Sequence, residues 1–517
     1  MGPTLKSMFE QTVSKYPEKE ALVDLRLGTR WTYKQWDEEV NKLANALLSD
    51  GVDKGDRVST VLFNTAEFVT VLFACMKIGA VFNPINFRLT SQEIDYILRD
   101  AEPKVVFFEK ATSASVKETA EAMPDTSFWC IDENDLSYAE NYYDRTRDKL
   151  VRRPDCLVEE DDLYAIMYTS GTTGAPKGVL HTHRDMIDQA LILTATLRLT
   201  PHDRGLSVAP MFHCAELHCA FFPRVLIGAT SVILHHFDAA QMIETVKEEQ
   251  ITTLFAAPTM WNMVLQEEFD PADFQTLRQG LYGGAPMAPA LTTRLHDALG
   301  VQLLQAYGMT EMGPAITALM EDEQITKAGS AGRPILNHEV RVVRTREGGP
   351  ADPDDICLPG ELGEIVVRGP STMNGYYKRP EATEEAMYKG WYHSGDIGSY
   401  DKEGYLWVSD RVKDMIISGG ENIYSREVED VLFDHPDVVD AAVIGEPDEM
   451  WGERVVAYIV KKGELSMEEL ERFCTSSSRL ARYKRPRRYE FVDELPRNAS
   501  GKLQKFKLRE KLKSRTP

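Results

Sequence analysis

A chain of 517 residues is long enough to form two to four domains and to bury its cores without crosslinks. Its 81 Asp and Glu against 59 Lys and Arg give a formal net charge of −22, which argues against wrapping nucleic acid as the main task and points to small-molecule partners. Seven cysteines, an odd number without a C-x-x-C pair, exclude a disulfide framework and suit a reducing compartment.

In chain order, the N-terminal MGPTLKSMFEQ has no apolar signal core, and Lys6 stands where a myristoylation motif needs Ser or Thr. The most apolar run, VTVLFACMKIGAVF, is broken at Lys77, short of the ~20 residues of a membrane span. A cytoplasmic protein with no transmembrane segment is expected. Strand-like runs then alternate with helical ones: RVSTVLF before TAEFVTVLFACMKIGAV, KVVFFE before ATSASVKETAEAM, TSVIL before DAAQMIETVKEEQ, and TTLFAA before PTMWNMVLQE. Such βα units build parallel sheets whose ligands sit at strand C-terminal ends. Asp238 precedes the third of these helices as its cap, and Met242, Ile243 and Val246 share one face of it.

Within this body the segment TSGTTGAPKG, residues 169–178, follows the apolar run LYAIMY. Its glycines allow positive φ and expose successive N–H groups, its hydroxyls add donors, and its lysine adds a mobile charge, which together make a cradle for phosphate oxygens. A flexible surface loop is the other reading of such a composition. The spacing departs from the P-loop, because Ala175 and Pro176 follow Gly174.

Past residue 330, HEVRVVR, EIVVRGP and GYLWVSD, separated by Gly/Pro-rich loops, predict a small β-rich subdomain over about 330–409. From residue 410, REVEDVLFDHP, VVDAAVIGEP, RVVAYIV and SMEELERFCTSS predict a compact α+β unit over 410–517. The basic stretch RYKRPRR there reads either as a solvated face or as a contact for a phosphorylated ligand. The expected fold is α/β, with a large N-terminal domain of stacked βα sheets over 1–409 and a smaller C-terminal domain over 410–517.

Four further segments accompany the loop: YGGAP at 282–286, QAYGMTE at 305–311, GWYHSGDIG at 390–398 followed by DRVKDMIISGGENIYSREVE at 410–429, and PRNASGKLQK at 496–505. In this order and spacing they resemble the adenylate-forming superfamily of acyl-CoA synthetases, nonribosomal-peptide adenylation domains and luciferases, over nearly the whole chain. The resemblance implies an ATP-dependent ligase with Mg²⁺ and CoA, in which a carboxylate attacks the ATP α-phosphate to give acyl-AMP and pyrophosphate, and a thiol then displaces AMP. It assigns Thr169, Ser170, Gly171, Thr172, Thr173, Gly174 and Lys177 to the β- and γ-phosphates, with Thr169 and Glu311 holding Mg²⁺. Gly284, Ala285, Pro286, Tyr307 and Gly308 would surround adenine, Thr310 would reach the α-phosphate, and Asp396 and Arg411 would bind the ribose. Lys502 would bridge the α-phosphate and the carboxylate. The C-terminal unit of relatives is mobile, turning on a pivot that matches Lys413, and Ser418, Gly419, Gly420 and Glu421 would then line the path of CoA. Ser425 departs from the proline that relatives often carry.

The resemblance also makes His213, in APMFHCAEL, the gate of the acyl site, with Trp261 among the acyl-binding residues. His213, Cys214, His218 and Cys219 imitate a metal cluster, but on a helix residues five apart point about 140° away from each other. Glu216 either points away from the acyl group or meets a polar substituent, since a carboxylate in an alkyl-lined pocket carries a desolvation cost. The aspartate of amino-acid-activating relatives is missing. A CoA ligase for medium- or long-chain fatty acids is therefore expected, with a carrier-protein-loading enzyme or a ligase for aryl or other small acids as alternatives. The partners are small-molecule substrates, and a homodimer is compatible with the chain.

Overall fold

The computed structural model describes residues 2–169, 176–285, 287–346, 349–411, 414–418, 421–448, 451–477, 479–497 and 503–513, and only the backbone of Asp410, Arg411, Ile417, Glu421, Asn422 and Lys513. The fold is α/β. Two large sheets form the body. One has seven strands in the order Glu140–Asn141, Ser127–Cys130, Val105–Phe108, Arg57–Val61, Val81–Pro84, Leu163–Thr169 and Lys177–Thr182. The other has nine: Arg333–Pro334, Ala315–Leu319, Gln302–Gly308, Gln279–Gly283, Thr253–Phe255, Arg204–Ser207, Thr230–Ile233, Glu20–Asp24 and Thr29–Thr32. Their centres are parallel, as the alternating pattern predicts, and the antiparallel pairs lie at the edges.

One of those edge pairs differs from the simple βα reading. Leu163–Thr169 and Lys177–Thr182 run antiparallel, with Thr169 opposite Lys177, because the few residues between them are too short for the crossover that a parallel partner requires. The glycine-rich segment is thus the connection of a hairpin.

The apolar run that stops at Lys77 forms the helix Ala66–Ile78, capped by the Thr65 hydroxyl and buried along its whole length. Each fully buried Val, Leu, Ile or Phe there contributes on the order of 1.5–3 kcal/mol. Lys77 is itself 0 % exposed, and its ammonium meets the Asp37 carboxylate and the Asn41 amide oxygen on the helix Tyr33–Ser49. Burial lowers the Lys77 pKa, and Asp37 opposes that shift. No helix among the described residues is long and apolar enough to cross a membrane.

A third, antiparallel sheet follows, built from Glu339–Val343, Gly363–Arg368, Trp391–Tyr400, Met387–Tyr388 and Leu406–Arg411. Asp396 pairs with Arg411 in its register, so this sheet reaches Arg411. The last sheet holds Glu421–Ile423, Ile416–Ser418, Gly452–Lys461, Val438–Asp448 and Arg488–Phe491. The helices Ser425–Phe433, Met467–Ser476 and Lys505–Lys513 accompany it. It has its own apolar core, in which Val428, Val431 and Leu432 of the first helix meet Val443, Ala457 and Ile459 of the strands.

Candidate active site

Thr169 closes one strand and Lys177 opens the next. The short 3₁₀ turn Thr310–Met312 brings Glu311 to the same place. Glu311 is 8 % exposed, and one of its carboxylate oxygens, Oε1, accepts from the Tyr376 hydroxyl at 3.0 Å and from the Thr169 hydroxyl at 3.4 Å. Lys177 Nζ lies 4.7 Å from the centre of the Tyr376 ring. Three segments distant in sequence therefore join a carboxylate, two hydroxyls and an ammonium.

The turn carrying Thr310 and Glu311 is held from outside. His181 Nε2 donates to the Thr310 carbonyl at 2.8 Å, and Met373 N–H donates to the Glu311 carbonyl at 2.9 Å. The Thr310 hydroxyl lies 3.2 Å from the Cys214 sulfur. Burial pushes that thiol up to about 12, which keeps it protonated and unreactive near neutrality.

The candidate adenosine residues sit at adjoining strand ends. Gly284 follows the strand Gln279–Gly283 with φ of 76°, a left-handed conformation that favours glycine. At Gly308 a Cβ atom would fall 1.6 Å from the Pro314 carbonyl oxygen, so no other residue fits. The Tyr307 hydroxyl donates to Asp396 Oδ2 at 2.7 Å, and Asp396 is cross-strand to Arg411, which brings three expected adenosine residues together.

Beside them lies a narrow cavity of about 10 Å³. Ala209, Pro210, Ala215, Phe255, Ala257 and Met260 give it apolar walls, and His213, Glu216, Gly283 and Gly284 also line it. His213 caps the turn Cys214–Glu216, its Nδ1 accepting from Ala215 N–H at 3.1 Å. Met260 faces the cavity, whereas the neighbouring Trp261 is fully buried against Gly280, where a Cβ would come within 2.7 Å of its ring.

His218, five residues after His213, turns into the core and bonds the Tyr164 hydroxyl. Burial holds its pKa well below the ordinary value, so it is a neutral packing group. Glu216 is 0 % exposed, and its Oε1 accepts from Arg224 Nη2 at 2.6 Å. Arg224 also donates to Ser207 Oγ and to the Ala220 carbonyl, each at 2.9 Å. Burial pushes the Glu216 carboxyl up and the Arg224 guanidinium down, and each charge opposes the other's shift.

Ser170, Gly171, Thr172, Thr173, Gly174, Pro286, Lys413, Gly419, Gly420 and Lys502 lie outside the described residues. Ala285 follows Gly284, and Ser418 and Glu421 end facing strands of the C-terminal sheet. Sequence reasoning missed Tyr376, His181 and Arg224. Tyr376 and His181 act through long-range contacts and Arg224 through a partner eight residues away, none of which a motif announces; only the glutamate without a visible partner hinted at Arg224.

Comparison with known proteins bears on what this arrangement does. The AMP-binding enzyme family matches residues 9–377, and the AMP-binding enzyme C-terminal domain matches residues 427–502. The chain is 38 % identical over 512 residues to a long-chain-fatty-acid–CoA ligase of Mycobacterium tuberculosis, covering 99 % of each. It is 38 % identical over 483 residues to a feruloyl-CoA synthase of Amycolatopsis, covering 93 % of this chain and 94 % of that one. The solved O-succinylbenzoate coenzyme A synthetase of Bacillus subtilis, in complex with ATP and magnesium ion, superposes with a TM-score of 0.84 at 32 % identity, covering 98 % of this chain and 99 % of that one. With both domains matched and relatives aligned end to end, the chain belongs to the AMP-binding enzyme family, within the adenylate-forming superfamily, and is an AMP-forming acid–CoA ligase.

Proposed function

We propose that the enzyme joins a compact carboxylic acid to CoA in two steps, through an acyl-adenylate bound between the Glu311 cluster and the apolar cavity. The observation that carries this reading is the narrow cavity lined by Gly283, Gly284, His213 and Glu216, the last of which is ion-paired with Arg224. The cavity is narrow, and a charged pair in its surroundings suits an alkyl chain poorly. A second reading, a medium- or long-chain fatty acid, is favoured by the 38 % identity to a long-chain-fatty-acid–CoA ligase over 99 % of the chain.

In this account three negative or partly negative groups must approach, so the chain's task is electrostatic. Lys177 and the Thr169–Gly174 segment hold the β- and γ-phosphates, and Lys502 meets the α-phosphate and the attacking carboxylate. Thr310 reaches the α-phosphate oxygens. Tyr307 orients Asp396 toward the ribose. Glu311 and Thr169 offer a carboxylate and a hydroxyl to one point, a hard oxygen set that fits Mg²⁺ with its retained waters. When bound there, the ion supplies charge neutralisation to the phosphates. The unit beyond Arg411 turns about Lys413 after the first step and presents Ser418, Gly419, Gly420 and Glu421 to CoA. The cytoplasm is the compartment proposed, in keeping with seven free cysteines.

Pyrophosphate release across C2 to C18 fatty acids and a set of aryl acids, with and without CoA, tests the reading. The highest kcat/KM is expected among acids of aryl size. A maximum at C12 or longer would favour the second reading.

A further inference from the structure

His181 is fully buried, and its imidazole makes one hydrogen bond among the described residues. Nε2 donates to the Thr310 carbonyl at 2.8 Å; a carbonyl only accepts, so Nε2 carries the hydrogen. Nδ1 has no hydrogen-bond partner among the described residues and stands 3.7 Å from Asp185 Oδ2, which itself accepts from Thr182 N–H and the Asn374 amide. The ring otherwise packs edge-on to His218, with centroids 5.8 Å apart. A leucine would fill the same space without burying a polar ring nitrogen, so packing alone does not account for a histidine here. The one hydrogen bond that offsets this burial falls on the turn Thr310–Met312.

His181 also belongs to the strand that Lys177 opens, and side chains two residues apart on a strand share a face. Lys177, Val179 and His181 therefore form one row. Lys177 meets the Tyr376 ring, whose hydroxyl donates to Glu311. Val179 pairs with Tyr376 through the backbone and shares an apolar cluster with Met312. Of the three, it is His181 whose side chain bonds the turn itself. Gly313 N–H also donates to the Thr310 carbonyl, at 3.1 Å, so removing the imidazole frees the turn without stranding a buried acceptor. Resting on the roles proposed above for Thr310 and Glu311, we infer that His181 is a positioning residue for adenylation. It fixes the turn that carries the Mg²⁺ carboxylate and the α-phosphate hydroxyl against the strand that carries Lys177. It touches neither substrate nor metal, and acts through the Thr310 backbone.

The test uses the full-length enzyme with His181→Leu, which removes the donor and keeps the bulk, and His181→Gln, whose amide nitrogen replaces the imidazole Nε2 as donor. His181→Met repeats the leucine arm with an unbranched side chain that adapts to the packing, and must behave as leucine does. Hydrogen exchange of residues 308–313, which hold the turn, is read by mass spectrometry without any ligand. It should quicken by at least about fivefold in His181→Leu and stay within about threefold of wild type in His181→Gln. Adenylation is read as single-turnover pyrophosphate release. The leucine variant should lose about fivefold to tenfold in kcat/KM for MgATP, the factor one neutral hydrogen bond supplies, and the loss should deepen as Mg²⁺ is lowered. Thioester formation from synthetic acyl-AMP and CoA should stay within about threefold of wild type, and the glutamine variant should recover most of the adenylation rate. Unchanged exchange in the turn, a loss shared equally by both half-reactions, a loss independent of Mg²⁺, or a glutamine variant no better than leucine would overturn the inference. Glu311→Gln is the reference. If it loses adenylation while His181→Leu does not, His181 alone is misassigned; if it leaves adenylation and its Mg²⁺ response unchanged, the reading of the turn fails and the inference falls with it.

Discussion

Tyr376→Phe removes one oxygen atom and leaves a ring that still packs and still faces Lys177. The missing oxygen is the nearer of the two hydroxyl donors to Oε1 of Glu311, 3.0 Å away against 3.4 Å for the Thr169 hydroxyl. The longer bond is close to the limit of a useful interaction, so Tyr376 carries most of the restraint on that carboxylate. A hydrogen bond to a charged group contributes about 1.5–3 kcal/mol. If Glu311 is needed in place only when ATP and Mg²⁺ are engaged, that energy appears in the adenylation transition state as a loss of about 10- to 150-fold in kcat/KM for MgATP. Single-turnover pyrophosphate release at several Mg²⁺ concentrations measures it, with thioester formation from synthetic acyl-AMP and CoA as the control. The control should stay within about threefold of wild type. Unchanged adenylation at limiting Mg²⁺, or an equal loss in both half-reactions, would refute the role given to Tyr376.

Arg224→Met alone strands a buried carboxylate and should cost about 3–5 kcal/mol in urea unfolding, while the paired change with Glu216→Leu should return to within about 1 kcal/mol of wild type; additive losses would contradict the ion pair. His183 is held down to about 4 by burial, so the unfolded chain takes up its proton below about 6.5 while the folded chain does not, and stability must fall as pH drops from 6.5 to 4. The His183 share is about 2 kcal/mol at pH 5 relative to pH 8, and His183→Asn should flatten the pH dependence of the urea midpoint by that amount; an identical pH dependence would count against it. Lys502→Ala should lower adenylation by about 10² to 10³ and spare thioester formation, whereas Lys413→Pro should do the reverse by fixing φ at the pivot. Equal losses in both halves for both variants would remove the two-pose account.

Much of the architecture was legible because the buried parallel strands advertise themselves as short apolar runs between helical patterns, as with Arg57–Val61 and Ala66–Ile78. Asp238 does cap its helix through Gln241 N–H, as the local chemistry requires. The hairpin around the glycine-rich segment was less legible, since strand direction depends on connection length and not on apolar pattern. In the site, Thr169, Glu311, Tyr307 and Asp396 could be found by motif because they occur within dense local signatures, and the structure brings them into two pairs. Tyr376, His181 and Arg224 could not. Their partners lie 65, 129 and 8 residues away, and a tyrosine, a histidine or an arginine carries no mark of which acceptor it will meet. Glu216 was half legible: its burial cost raised the question, and only the fold supplied Arg224 as the answer.

The most direct measurement follows oxygen. A substrate acid labelled with ¹⁸O at both carboxylate oxygens is incubated with enzyme, ATP, Mg²⁺ and CoA, and the products are weighed by mass spectrometry. Attack of the carboxylate on the α-phosphorus, followed by thiol displacement, leaves one of the two labelled oxygens on AMP for every acyl-CoA formed, with unlabelled pyrophosphate. ADP with label in inorganic phosphate, or acyl-CoA accompanied by unlabelled AMP, would contradict an acyl-adenylate formed at this site.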